Sequence, residues 1–197
     1  MIYHFVNLVS WKGVSLLKNN YSKIFYDSIS FILVSRIFGV KLKRNSGVGY
    51  YLNNFEDLNK SLFLVNEKSN LERREIELPF WNKINEICLD EDLLKIINNF
   101  DSIVIGISSP KQDYLASLII NEFPEKNIYC LGAAIYSSNN QKMIFDRLGF
   151  SFLYFMFSNP IRTLNKIYLT VKEFLLLIFT NRKKEFKQFV LFNYNKK

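Results

Sequence analysis

Apolar positions along the middle of the chain change period twice. Ser102–Ile107 is a short β-branched run, the pattern of a strand buried in a parallel sheet. Tyr114, Leu115, Leu118 and Ile119 then recur at helical spacing, and Asn127–Leu131 is a second strand ending at Gly132. Strand, helix, strand predicts two parallel strands joined by a right-handed crossover. The expected class is therefore α/β, a parallel sheet flanked by helices.

The first third repeats the pattern less clearly. Val9–Asn19 reads as a helix despite Gly13, and Lys23–Tyr26 as a short strand. Asp27 and Ser28 open an apolar helix, Ile29–Phe38, with Gly39 placed to stop it. Ser61–Val65 is another strand candidate. The charged stretch Asn66–Glu77 reads as a surface loop ended by Pro79, and Glu86–Asn99 as a helix with Ile87, Leu93, Leu94, Ile96 and Ile97 on its core face.

The last third differs. The stretch from Phe145 to Phe157 is strongly aromatic, and Asn159-Pro160 follows it. Residues 161–197 carry nine Lys or Arg against two Glu. Leu169, Val171, Phe174, Leu175, Ile178 and Phe179 predict a helix, and Phe186, Phe189, Val190 and Phe192 more helix beyond Arg182-Lys183-Lys184. The division expected is an α/β domain over 1–145 and a basic, amphipathic helical appendage over 146–197. No apolar run reaches the ~18 residues of a membrane-spanning helix.

Composition narrows the partners. Of 197 residues, 26 are Lys or Arg and 18 are Asp or Glu, a formal net charge of +8. The excess favours an anionic partner: a nucleotide, nucleic acid or an acidic membrane surface. The cations crowd the tail and match no nucleic-acid-binding pattern, so nucleic acid is not expected. Two cysteines, Cys88 and Cys130, with no signal peptide before them, imply a cytoplasmic setting and buried thiols rather than a disulfide. The single histidine, His4, reads as a surface or packing residue. One histidine leaves little basis for a zinc site or a Ser-His-Asp triad, and no metal or cofactor is expected.

The loop Gly106-Ile107-Ser108-Ser109-Pro110-Lys111-Gln112-Asp113 holds the most specific pattern. One reading is purely local: Ser109 as N-cap, Pro110 as first helical residue, Gln112 as its capping-box partner. Lys111 in a first helical turn is disfavoured by the helix dipole, and an anion bound there would offset that cost. The loop also lies at the carboxyl end of a strand, where open α/β sheets bind ligands.

These residues resemble the glycine-x-glycine-x-Pro-Lys-Gln-Glu loop of the WecB/TagA/CpsF glycosyltransferases. Tyr26-Asp27-Ser28-Ile29-Ser30, with Arg36–Gly39, Lys43-Arg44 and Gly47 after it, is similar to the family's Asp-Gly-x-Gly segment. Cys130-Leu131-Gly132-Ala133-Ala134 resembles its Gly-Gly-Ala turn. Arg147-Leu148-Gly149-Phe150 through Asn159-Pro160-Ile161-Arg162 resembles its Leu-Gly-Leu-Glu-Trp and Pro-x-Arg stretch.

The resemblance implies a Rossmann-like fold and an inverting transferase. Such an enzyme moves an N-acetylhexosamine-type sugar, such as N-acetylmannosamine, from a UDP-sugar to a lipid-linked acceptor in cell-surface polysaccharide biosynthesis. It implies no catalytic metal and a tail that meets the inner face of the membrane. Asp27 then matches the general base, a carboxylate able to deprotonate the acceptor hydroxyl; read locally, it is a helix N-cap. The resemblance carries substrate contacts to Asn7, Gly106, Ser109, Pro110, Lys111, Gln112, Asp113 and Gly132. Arg147 and Arg162 are candidates to stabilise the departing diphosphate. Serines stand at 28, 30 and 108 where the family has glycines, and Ser151-Phe152 replaces Glu-Trp. Those departures leave an alternative: a relative without turnover, binding nucleotide or membrane within a polysaccharide assembly complex. Self-association through the aromatic tail is a further expectation.

Overall fold

The computed structural model describes residues 1–17, 22–69, 72–136, 157 and 160–194, with the backbone alone at 16, 17, 162 and 192–194. Six strands form one all-parallel sheet: β1 (Ile2–Val6), β2 (Ser22–Tyr26), β3 (Leu62–Val65), β4 (Glu75–Glu77), β5 (Ser102–Ile105) and β6 (Asn127–Cys130), in the order β2-β1-β6-β5-β3-β4. The helices are α1 (Trp11–Leu17), α2 (Ile29–Ile37), α3 (Gly47–Asn53), α4 (Phe55–Leu58), α5 (Glu91–Asn98), α6 (Lys111–Glu122), α7 (Pro160–Phe179) and α8 (Arg182–Tyr194). Short 3-10 turns occupy Ile84–Glu86 and Gly132–Tyr136. This is a Rossmann-like α/β architecture, and its parallel sheet is the one that the strand–helix–strand pattern predicts.

Alternation along each strand sends side chains to two faces. On one face Ile2, Leu62, Leu64, Ile103, Ile105, Ile128 and Cys130 pack with Leu93 and Ile97 of α5 and Leu115, Ala116, Ile119 and Ile120 of α6. On the other, Phe5, Phe63, Val65 and Val104 meet Val48, Tyr51, Leu58, Ala134 and Ile135. Each fully buried aliphatic side chain contributes about 1.5–3 kcal/mol, so these two layers hold the sheet. A third cluster joins Val6 and Tyr26 to α1 and α2, and brings in Leu177, Phe186, Phe189 and Val190 of the C-terminal helices. The appendage thus shares a core with α1 and α2. The expected boundary at 145 lies outside the described residues.

Several local expectations change. Ile2–Val6, read as no element, is a strand paired to both β2 and β6. The charged stretch read as a loop contains β4, parallel to β3 through Phe63–Glu75, Leu64–Ile76 and Val65–Glu77. The helix expected from Glu86 begins at Glu91, because Asp90 caps it by accepting from Leu93 N–H at 2.7 Å. Cys130 is buried as expected, whereas Cys88, in the connection before α5, is exposed. α2 ends as predicted, with Gly39 at φ +83° beyond it.

Candidate functional site

All six strands are parallel, so the loops after them line one edge. Across it run Asp27 after β2, Asn7 after β1, Gly132 after β6, Gly106–Pro110 after β5 and the 66–69 segment after β3. The chain leaves β3 outward to β4 and leaves β5 back toward β6. The two connections diverge between those neighbouring strands, the position where open α/β sheets form a ligand crevice. Here Ile135 fills that space: a Cβ added to Gly106 would lie 2.1 Å from Ile135 Cδ1. Gly106 is therefore required by packing. Gly132 is required by its backbone, at φ +54° and with Ile107 O 3.3 Å from where a Cβ would sit.

Asp27 is half-buried. Its backbone N–H donates to Val6 O at 2.8 Å, and its Oδ1 accepts from Gly47 N–H at 2.9 Å, at the start of α3. It is not the cap of α2: Ser28 Oγ takes that role from Phe31 N–H at 3.2 Å. Arg44 Nε donates to the Asp27 carbonyl at 2.7 Å. Asn7, one strand over, turns its Oδ1 to Val9 and Ser10 N–H at 2.9 and 3.0 Å, opening α1.

The loop before α6 folds differently from the capping-box expectation. The helix starts at Lys111 with Pro110 before it, so Ser109 lies outside the capping position. Ser109 Oγ instead donates to Asp113 Oδ2. Asp113 Oδ1 is 2.8 Å from His4 Nδ1, and His4 Nε2 is 3.3 Å from Ser22 Oγ. His4 and Asp113 are 0% and 1% exposed, so His4 is the centre of a buried polar chain rather than a surface residue. Cys130 lies beside this pair, its donor atom within 4.8 Å of theirs. Burial pushes its thiol well up, and the Asp113 carboxylate adds to the shift. The His–Asp separation is that of a direct hydrogen bond, and the second Asp113 oxygen is taken, so the trio is satisfied without an ion.

Gln112 is buried, and its Oε1 has no partner among the described residues. Lys111 Nζ donates to Trp81 O and lies 5.2 Å from the centre of the Phe80 ring. Pro110, Lys111 and Tyr114 with Asn82, Lys83, Ile84 and Asn85 line one open groove of about 640 Å³. A second groove of the same size lies against α2, near Asp27. Asp27 and Lys111 thus follow strands of one edge that have β1 and β6 between them; Lys111 lines the first groove and Asp27 lines neither. Arg147 lies outside the described residues; Arg162 falls in the first turn of α7, its side chain likewise outside them.

Sequence reasoning missed the Arg73 anchor. Arg73 bonds Glu75 at 2.5 Å, Tyr51 OH at 2.9 Å and Ile135 O at 3.0 Å, and its guanidinium lies 4.2 Å from the centre of the Phe63 ring. Burial opposes ionisation of Glu75, but bonds from Ser69 and Arg73 outweigh it and hold the carboxyl below its ordinary value. Only a charged pair inside a charged stretch marks this anchor in the sequence. No family model, no curated protein and no solved structure matches the chain. Among the described residues no helix is long and apolar enough to cross a membrane.

Proposed function

We propose that the chain is an inverting glycosyltransferase that moves an N-acetylhexosamine-type sugar from a UDP-sugar to a lipid-linked acceptor. The observation that carries this reading is the sharing of one sheet edge by Asp27, Asn7, Gly132 and the Gly106–Pro110 loop. A nucleoside-diphosphate sugar is an extended molecule, suited to lying along such a row of loops. In this reading the Asp27 carboxylate, oriented by Gly47 N–H, takes the proton of the acceptor hydroxyl. The hydroxyl oxygen attacks the anomeric carbon from the face opposite the diphosphate. The carbon–oxygen bond to UDP breaks with inversion, and UDP departs carrying the bonding electrons.

The acceptor's lipid fits a peripheral place at the membrane. On α7, Ile161, Leu164, Tyr168, Val171, Leu175 and Ile178 are all exposed, from 74% at Ile161 to 43% at Ile178. Cations on the same hairpin, Lys172, Lys183, Lys184 and Lys187, would add attraction to anionic lipid.

UDP release from UDP-N-acetylhexosamines, with membranes supplying the acceptor, tests the reading. Asp27→Asn keeps an oxygen for Gly47 N–H and is expected to lower turnover by about 100-fold or more. Unchanged turnover in that variant removes Asp27 as the base. One observation favours a second reading, a nucleotide- or membrane-binding component without turnover. Lys111 Nζ is held by Trp81 O, and the Asp113 carboxylate by His4 and Ser109. UDP binding with no UDP released from any sugar nucleotide would select it.

A further inference from the structure

Helix α2 is apolar on two sides. Phe31, Ile32, Val34 and Ser35 face the core, while Ile29, Leu33 and Ile37, four residues apart, form an outer stripe at 38%, 52% and 63% exposed. An apolar stripe turned outward on such a helix is a face available to a partner. Beside this stripe the chain returns through Lys41–Arg44, and the two segments enclose the groove of about 640 Å³. Its apolar lining is Ile29, Ile32, Leu33 and Leu42; its polar lining is Arg36, Lys41, Lys43 and Arg44, with no acidic residue among them. Arg36, Lys41 and Lys43 make no ion pair with any described residue.

Four cations around an apolar trough complement a molecule with an anionic head and a hydrocarbon chain. A second copy of this chain fits poorly, because a twofold contact would set the cations against their own copies. A nucleic acid would leave the trough unused, and no aromatic ring lines it for a base to stack on. Arg44, at one end of the groove, donates to the Asp27 carbonyl, so the head of such a molecule would lie beside the candidate base.

We propose that this groove seats a phosphorylated long-chain lipid, its phosphate among Arg36, Lys41 and Lys43 and its chain along Ile29, Leu33 and Leu42. That this lipid is the sugar acceptor rests on the transferase reading; the binding itself does not.

Farnesyl phosphate is the probe, measured by equilibrium binding to the full chain without donor, with farnesol and inorganic phosphate as the chain-only and head-only controls. The whole amphiphile is expected to bind well above either control. Lys41→Ala with Lys43→Ala is expected to weaken it by about thirtyfold, two cations at about fivefold to sixfold each. Leu33→Ser, at an exposed position, is expected to weaken farnesyl phosphate and leave inorganic phosphate unchanged. Equal binding by wild type and the double-lysine variant overturns the proposal, as does phosphate binding as tightly as the amphiphile. Capture by phosphatidylglycerol vesicles through these same lysines, with no farnesyl phosphate bound, overturns it too and gives the surface to a bilayer. If wild type binds the probe but releases no UDP from any sugar nucleotide, the transferase reading fails and the groove stands. If it releases UDP but does not bind the probe, the groove fails and the transferase stands.

Discussion

Tyr26 ends β2 with its ring stacked on Phe31 and its hydroxyl buried without a hydrogen-bond partner among the described residues. An orphaned buried hydroxyl costs more than a hydrogen bond returns, so Tyr26→Phe is expected to raise stability by about 1 kcal/mol. Burial also pushes the Tyr26 phenol from 10.0 up to about 12. For an acid raised on folding, the stability is whole below the unfolded value and declines as pH rises through the folded one. Wild type should therefore lose stability between pH 10.0 and about 12, and Tyr26→Phe should lose less there. Denaturant midpoints across that range decide it; parallel curves would refute the buried phenol. Glu75 works with the opposite sign. Its lowered carboxyl value contributes stability above the ordinary carboxylate range and gives it up as pH falls through the folded value. Glu75→Gln should be less stable than wild type at neutral pH, with the gap closing in acid.

At the scale of elements, Gly106 and Ile135 fix how the β5 loop meets the turn after β6. Gly106→Ala is expected to cost about 2 kcal/mol, as overpacking does in a buried contact. Ile135→Ala in the same chain should recover much of that cost, because it removes the atom in the way. A purely additive pair would show that the glycine is kept for another reason. β2, β3, β5, β6, α1, α2 and α6 were legible because each is a run of one period between clear stops. β1 was not, because His4 breaks its apolar pattern, and only its buried bond to Asp113 from α6 makes His4 a core residue. β4 was hidden because Arg73, Glu75 and Glu77 read as solvated charge. The Arg73–Glu75 pair is instead 0% and 4% exposed, over Phe63. In both cases the deciding partner is far along the chain, where local periodicity carries no information.

At the scale of the whole molecule, the sequence placed Asp27 and Lys111 after strands but could not give strand order. β1 and β6 lie between their strands, and of the two only Lys111 lines either groove. The C-terminal pair was legible as two helices, while its docking on α1 and α2 through Phe186, Phe189 and Val190 was not. That docking leaves α7 with Thr163 and Leu177 buried inward and its apolar stripe outward. A stripe spaced three and four residues apart lies along one side of a helix, and with a net charge of +8 it suits an anionic bilayer surface. The chain is expected to sediment with phosphatidylglycerol vesicles and to be released as salt rises, since salt screens the charge and leaves the apolar contribution. Leu164→Asp with Tyr168→Asp changes two exposed positions, so folding should hold, measured by an unchanged melting temperature. Vesicle binding should fall by about tenfold or more, because both the buried area and the charge balance move the wrong way. Full retention of binding in that variant would exclude α7 as the contact and turn attention to the cations around α2.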